Sequence, residues 1–337
     1  MKVTLDWPEM LDKLVVERVL AGAVSGLNGE PDRHIETGLA HVFFFGDSVF
    51  KLYKTHNDKD HFIKGVLAPT SRRRSYIEHD FAMNKHFGQG VYKKLHGVEY
   101  REGEIAISDF DGNSIHVLFE MDRLDFNHNL HERLLRKEIT DDELYLLGFE
   151  TARLTDESVV LPPENISWYS QATARMRFLE QFVAWLPSDI RDTFDSEACF
   201  TAMRKHLETN KEEYERISGS ALKPDLDNHD ENVFFSDKTI HVIDVVPPMD
   251  CWWYGVPVSN LTSLIVNVET LHSEEAGEKV AQGFKDYHET VTLPENLYEF
   301  TRAFSYVISV AHFGSVPDKR EIALKYALRC SDIPSRL

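Results

Sequence analysis

An acidic, Asn-bearing loop runs into β-type sequence between Lys223 and Asp244, KPDLDNHDENVFFSDKTIHVID. Phe235 and Ile240 flank a four-residue turn, Ser236-Asp237-Lys238-Thr239. Pairing those two residues sets an antiparallel register in which partner numbers keep a constant sum. Asn232 then stands opposite Ile243, and Glu231 opposite Asp244. The Asn232 amide and the Asp244 carboxylate reach the same end of one hairpin although 12 residues separate them. Two hard oxygen donors side by side, with other positions left to water and phosphate, suit magnesium carrying a nucleotide. Asp227 lies in the entering loop, where a carboxylate can accept the proton of an attacking hydroxyl beside the metal. Other readings compete. A solvated turn is the common fate of such a loop. A calcium loop fails, because Asp230 and Ser236 stand where a glycine and a glutamate are wanted. His229 with His241 lacks further ligands at the spacing of a tetrahedral site, so a structural role fits His229 better.

The elements that must hold this loop are written in the hydrophobic spacing. Leu11, Leu14, Val15, Val19 and Leu20 mark a helix within Glu9 to Leu27. VFFFGDSVFKLYK places two β-rich runs around Gly46-Asp47, a hairpin. A helix over Ser71 to Phe87 and a strand over Tyr92 to Tyr100 follow. EIAISDF and SIHVLFEM, separated by Asp111-Gly112-Asn113, read as a second hairpin. This order makes residues 1–122 a small α+β lobe. Residues 123–337 turn helical, with helices expected at Leu130 to Arg136, Asp142 to Leu154, Gln171 to Trp185, Glu197 to Ile217, Glu274 to Tyr287 and Leu297 to Phe313. A short hinge near Glu120 to Leu124 joins the lobes.

Bulk composition narrows the partners. The 337 residues exceed the commonest size of one core, which favours two lobes. A net charge of -19 repels a phosphate backbone over most of the surface and argues against nucleic acid. Three cysteines without a CxxC pair support neither a disulfide framework nor a zinc ribbon, and point to a reducing, cytoplasmic setting. No apolar run has the length of a signal peptide or a membrane span. Trp168, Trp252, Trp253 and Tyr254 supply aromatic surface for a core or for the wall of a ligand site.

The spacing Asp-x-His-x-x-Asn, a short hairpin and then Asp resembles the catalytic segment of the aminoglycoside phosphotransferase and choline kinase superfamily, in particular a bacterial branch reading His-Gly-Asp-Leu-His-Leu-Glu-Asn. The resemblance implies a two-lobed, protein-kinase-like α+β fold that uses ATP and Mg2+. It puts Asp227 in the place of the catalytic base and Asn232 and Asp244 in the places of the metal ligands. In the first lobe, ETGLAHVFFFGDSVFKLYK looks like the branch's opening strands, so Lys51 matches the lysine that meets the nucleotide phosphates. The helix Arg72 to Phe87 resembles the branch's arginine-rich helix, whose acidic residue pairs with that lysine. Asp80 takes this place, with Glu78 as alternate. Glu120 and Met121 then fall at the interlobe hinge, where backbone groups meet adenine.

This likeness covers about Glu36 to Phe313 and implies a phosphotransferase acting on a hydroxyl of a small molecule such as an aminoglycoside, sugar or amino alcohol. A pseudokinase or regulatory nucleotide-binding module, and a kinase acting on a protein substrate, are the alternatives. Four departures bear on the choice. Asp225 and Leu226 replace the branch's histidine and glycine before the base, Thr37-Gly38-Leu39-Ala40 replaces Thr-His-Ile-Ser, and Asn260 stands where the branch carries aspartate. These changes touch the scaffold of the loop rather than its three central side chains.

Overall fold

The computed structural model describes residues 8–55, 67, 70–101, 103–112, 114, 116–158, 162–236, 239–247, 249–288 and 294–337. Two compact units make up the chain, Met1–Asp125 and Phe126–Leu337.

The first unit opens with helix α1 (Pro8–Leu20) and continues through β1 (Val24–Ser25), β2 (Arg33–Glu36), β3 (Ala40–Phe45) and β4 (Ser48–Tyr53). Helix α2 (Thr70–Phe87) then precedes β5 (Tyr92–Arg101), β6 (Glu104–Asp109) and β7 (Val117–Asp122). The strands form one sheet in the order β1-β6-β5-β7-β4-β3-β2, in which β1 and β6 alone are paired in parallel. Because successive side chains of a strand alternate between faces, β4 serves two layers. Phe50 and Leu52 join Val15 and Val19 of α1 in one core. On the other face the Tyr53 ring meets Tyr76 of α2 edge-on at 5.7 Å. A buried polar network anchors α1: Asp12 accepts hydrogen bonds from the amide and hydroxyl of Thr55, each 2.5 Å, and meets His116 Nε2 at 2.6 Å.

The hairpin at Gly46-Asp47 forms as its sequence predicts, with Phe45 opposite Ser48 and Gly46 at a φ of +57°. The expected second hairpin does not. β6 and β7 flank β5 on opposite edges, β6 along Arg101 to His96 and β7 along Gly97 to Tyr92. A ten-residue strand is long enough to serve one partner with each half, and the segment between β6 and β7 crosses β5 at Gly97. A Cβ at Gly97 would overlap the Ser114 hydroxyl, so glycine eases the close approach there.

The second unit carries α3 (Leu130–Arg136), α4 (Asp141–Asp156), α5 (Trp168–Val183), α6 (Ser188–Thr193), α7 (Ser196–Thr209) and α8 (Lys211–Arg216). Four short strands follow, β8 (Lys223–Pro224), β9 (Val233–Phe235), β10 (Ile240–Val242) and β11 (Tyr254–Gly255). The unit ends with α9 (Pro257–Leu271), α10 (Glu274–His288), α11 (Glu295–Gly314), α12 (Arg320–Cys330) and α13 (Ile333–Arg336). Local chemistry sets several boundaries. Thr140 and Glu143 form a capping box that starts α4. Asn210 divides the segment read as a single helix over Glu197 to Ile217 into α7 and α8. Among the described residues no helix is long and apolar enough to cross a membrane.

Candidate active site

The loop and hairpin of the second unit adopt the register that their sequence dictates. Phe235 pairs with Ile240, Phe234 with His241 and Val233 with Val242. The amide of Ile243 donates to the Asn232 carbonyl at 2.9 Å, which carries the same register to the end of the hairpin. Ser236 and Thr239 close the turn through a 3.0 Å backbone hydrogen bond, while Asp237 and Lys238 lie outside the described residues. The three candidate residues are tied into this frame. Asn232 Nδ2 donates to the Asp227 carbonyl at 2.7 Å, and the Asp227 amide donates to the carbonyl of Val245, next to Asp244, at 2.9 Å. Asp244 is exposed and holds a φ of +54°, the left-handed region that a residue with a Cβ enters at a cost.

Buried side chains that fix the backbone hold the loop from beneath. Asn260, fully buried on α9, accepts from the Leu226 amide at 2.8 Å and donates to the Pro224 carbonyl at 2.9 Å. Asn228 Nδ2 donates to the Asn260 carbonyl at 2.9 Å. An aspartate at 260 could accept from Leu226 but could not donate to Pro224, so the amide does both tasks. Asp225 is engaged by Arg175, whose guanidinium also donates to the carbonyls of Cys251 and Tyr254 at 2.9 and 2.7 Å. Trp168 and Trp252 each stand 5.1 Å from that guanidinium, and Ser259 Oγ lies 3.0 Å from the second Asp225 oxygen. Asp225, Leu226 and Asn260 thus back the loop with a partner set of their own.

His229 finds its ring partner on another element. Its ring packs against His312 of α11 with centroids 4.4 Å apart. Desolvation first, and the charge of His312 second, take the His229 imidazole down to about 3, so it is neutral at pH 7. His229, Glu231 and His312 bring donor atoms within 4.8 Å of one another. The Glu231 carboxylate is shared: Lys319 meets its Oε1, while His229 and His312 lie nearest its Oε2, at 4.0 and 3.3 Å. Asn129 donates to the carbonyls of Glu231 and Val233 at 2.8 and 3.3 Å, and His131 meets Asp230 at 2.5 Å, which fastens α3 to the hairpin. Neither histidine contact was legible, because His312 lies 83 residues from His229 on another element.

In the first unit Lys51 is buried on β4 between Val42 and Phe119. Its ammonium lies 4.5 Å from the Tyr53 ring centroid, and the Tyr53 hydroxyl donates to Asp80 at 2.8 Å. Asp80 is buried and also accepts from Asn84 at 2.7 Å. Glu78 instead forms an exposed pair with Arg74 at 2.9 Å. Glu120 and Met121 stand inside β7, paired with β4 on one side and β5 on the other, and Glu120 meets His96 at 2.6 Å. The strand persists to Asp122, within the stretch read as the hinge.

The sequence matches no protein-family model and no curated protein. Solved structures define the class: the chain has the two-lobed, kinase-like α+β fold of small-molecule phosphotransferases, so the resemblance read from the sequence holds at the level of fold. Amicoumacin kinase hAmiN, solved with AMP-PNP, Ca2+ and amicoumacin, matches at a TM-score of 0.55 and 15% identity, covering 95% of this chain and 93% of that one. A thermostable mutant of aminoglycoside phosphotransferase APH(4)-Ia, solved with AMP-PNP and hygromycin B, matches at 0.53 and 13% identity over 97% of this chain and 98% of its own. A glucosamine kinase matches at 0.50 and 13% identity, covering 89% and 74%.

Proposed function

We propose that the chain is an ATP- and divalent-metal-dependent phosphotransferase acting on a hydroxyl of a small molecule. One observation carries the reading: Asp227, Asn232 and the Asp244 turn are joined by direct hydrogen bonds at the end of one hairpin. With its Nδ2 committed to the Asp227 carbonyl, the Asn232 amide has its oxygen as the coordinating atom, and Asp244 adds an exposed carboxylate. Oxygen donors of this kind suit Mg2+ and suit thiophilic metals poorly. A bound divalent ion with ATP supplies neutralisation of charge on the transferred phosphoryl group.

The protein's own task is then positioning. Asp227 orients the acceptor hydroxyl and takes up its proton, Asn260 and Arg175 hold the loop that carries it, and Lys51 with Asp80 steadies the nucleotide phosphates. The molecules bound in amicoumacin kinase and in APH(4)-Ia, AMP-PNP with amicoumacin and AMP-PNP with hygromycin B, support this assignment by analogy of fold.

Two variants test it. AMP-PNP with Mg2+ is expected to raise the melting temperature of the wild type, and Asp244→Ala to abolish the metal-dependent part of that rise. Asp227→Asn is expected to keep nucleotide binding and to lower ATP turnover about 10²–10⁴-fold, the usual contribution of a general base. Metal-dependent nucleotide binding that survives Asp244→Ala would overturn the ligand assignment.

A further inference from the structure

Beside the loop, within the second unit, lies a cavity of about 270 Å³. Asp227, His229 and His312 line one part of it, so it ends at the candidate base. Six Trp and Phe rings line it: Trp168, Phe178, Phe182, Trp252, Phe304 and Phe313. The polar residues that remain are largely committed elsewhere. On α11 the Thr301 hydroxyl donates to the Leu297 carbonyl and the Ser305 hydroxyl to the Thr301 carbonyl, each at 3.0 Å, and a hydroxyl bound to its own helix turns its carbon side outward. Arg175 spends its guanidinium on Asp225 and two carbonyls.

Charge decides what such a cavity accepts. Its carboxylates are Asp225 and Asp227, and the first is neutralised by Arg175. A polycation carries several ammonium groups into the site and would have to desolvate them against aromatic walls with few counter-charges. A neutral ring system loses little on entry and gains stacking and edge contacts with the wall. We infer that the acceptor pocket takes an uncharged, ring-bearing alcohol with an apolar face, rather than a polycationic aminosugar. The inference relies on the phosphotransferase reading for the fate of the occupant and not for its binding.

Equilibrium dialysis of the full chain without nucleotide tests it, with naphthylethanol as the neutral ring alcohol and kanamycin as the polycation. Naphthylethanol is expected to bind at least about tenfold more tightly, a difference of about 1.4 kcal/mol. Phe178 is half-buried on the wall, so Phe178→Glu places a carboxylate there with little strain. That variant is expected to weaken naphthylethanol about tenfold and to tighten kanamycin, while Phe178→Leu stays within about threefold of wild type. Should Phe178→Glu fail to fold, Ser309→Phe fills the same cavity from α11 and is expected to exclude naphthylethanol. Tighter binding of kanamycin by the wild type, or no retention of naphthylethanol, overturns the inference. If naphthylethanol is retained while AMP-PNP shows no magnesium-dependent binding, the ring-alcohol pocket stands and the phosphotransferase reading falls.

Discussion

Asp244 combines a proposed ligand role with a backbone that a Cβ opposes. A left-handed conformation costs about 1–2 kcal/mol for residues other than glycine, and least for Asn and Asp. Asp244→Gly removes that cost but adds about 0.4–1 kcal/mol of freedom to the unfolded chain, so urea unfolding is expected to find it within about 0.5 kcal/mol of wild type. Asp244→Val keeps the steric conflict, worsened by its branched side chain, and is expected to lose about 1–2 kcal/mol. Both should abolish the magnesium-dependent nucleotide shift, which separates the ligand role from the fold. Arg175 poses the opposite case. Its side chain is 3% exposed beside Asp225, so Arg175→Met strands a buried carboxylate and is expected to cost about 3–5 kcal/mol. Adding Asp225→Asn should recover part of the loss in the same urea titration. A double variant no more stable than Arg175→Met would mean that the cost is lost packing between Trp168 and Trp252 rather than unpaired charge.

At the scale of elements, helices α4 and α10 cross through reciprocal glycines. A Cβ on Gly148 would overlap the Val280 carbonyl, and one on Gly283 the Tyr145 carbonyl. Alanine is worth about 1 kcal/mol over glycine inside a free helix, yet here the obstacle is backbone and cannot turn aside. Gly148→Ala and Gly283→Ala are therefore each expected to destabilise by about 1–3 kcal/mol, read as a lower urea midpoint, and a gain in either would refute the close crossing. The same distinction between local and tertiary signals explains what the sequence disclosed. The hairpin at Phe235–Ile240 was readable because a short turn between β-rich runs dictates its own register. The Gly46 turn, and helices α2, α4, α5, α10 and α11, were readable from period and flanking residues. Helix α9 was not: every residue from Val258 to Val268 except Ser263 is buried, so no amphipathic stripe marks it, and only Pro257 at its first turn hints at a start. The place of β5 between β6 and β7 was hidden for a related reason, because strand order depends on which edges meet and Gly97 was its one local trace. Arg175, Asn260 and His312 joined the loop from distant helices, through contacts that no spacing within the loop encodes.

Across the whole molecule, folding withholds protons from several imidazoles. Burial holds His41, His116 and His206 below the ordinary value of 6.5. Since their folded values lie below their unfolded ones, their stabilisation is complete above about pH 6.5 and is lost as the pH falls toward the folded values. Each fully shifted group contributes a slope of at most about 1.4 kcal/mol per pH unit in that window. Asp12 adds a further loss lower down. Burial pushes it up, but hydrogen bonds from His116 and Thr55 outweigh that and hold it below 3.8, so its contribution disappears only in stronger acid. The net charge of -19 works in the other direction, because protonation relieves self-repulsion of the compact state. The two effects act in different ranges, since carboxylates take up most of their protons below the imidazole window. Urea midpoints are therefore expected to fall between pH 7.5 and 5.5, at low salt and equally at about 1 M salt, where a Debye length of about 3 Å screens exposed charge but not buried histidine. A midpoint that rises on acidification at low salt and flattens at high salt would assign the pH dependence to surface repulsion instead. His116→Asn separates the sources further. Its ring is fully buried against Asp12, so the variant should be less stable at pH 7.5 and should lose less than wild type between pH 7.5 and 5.5.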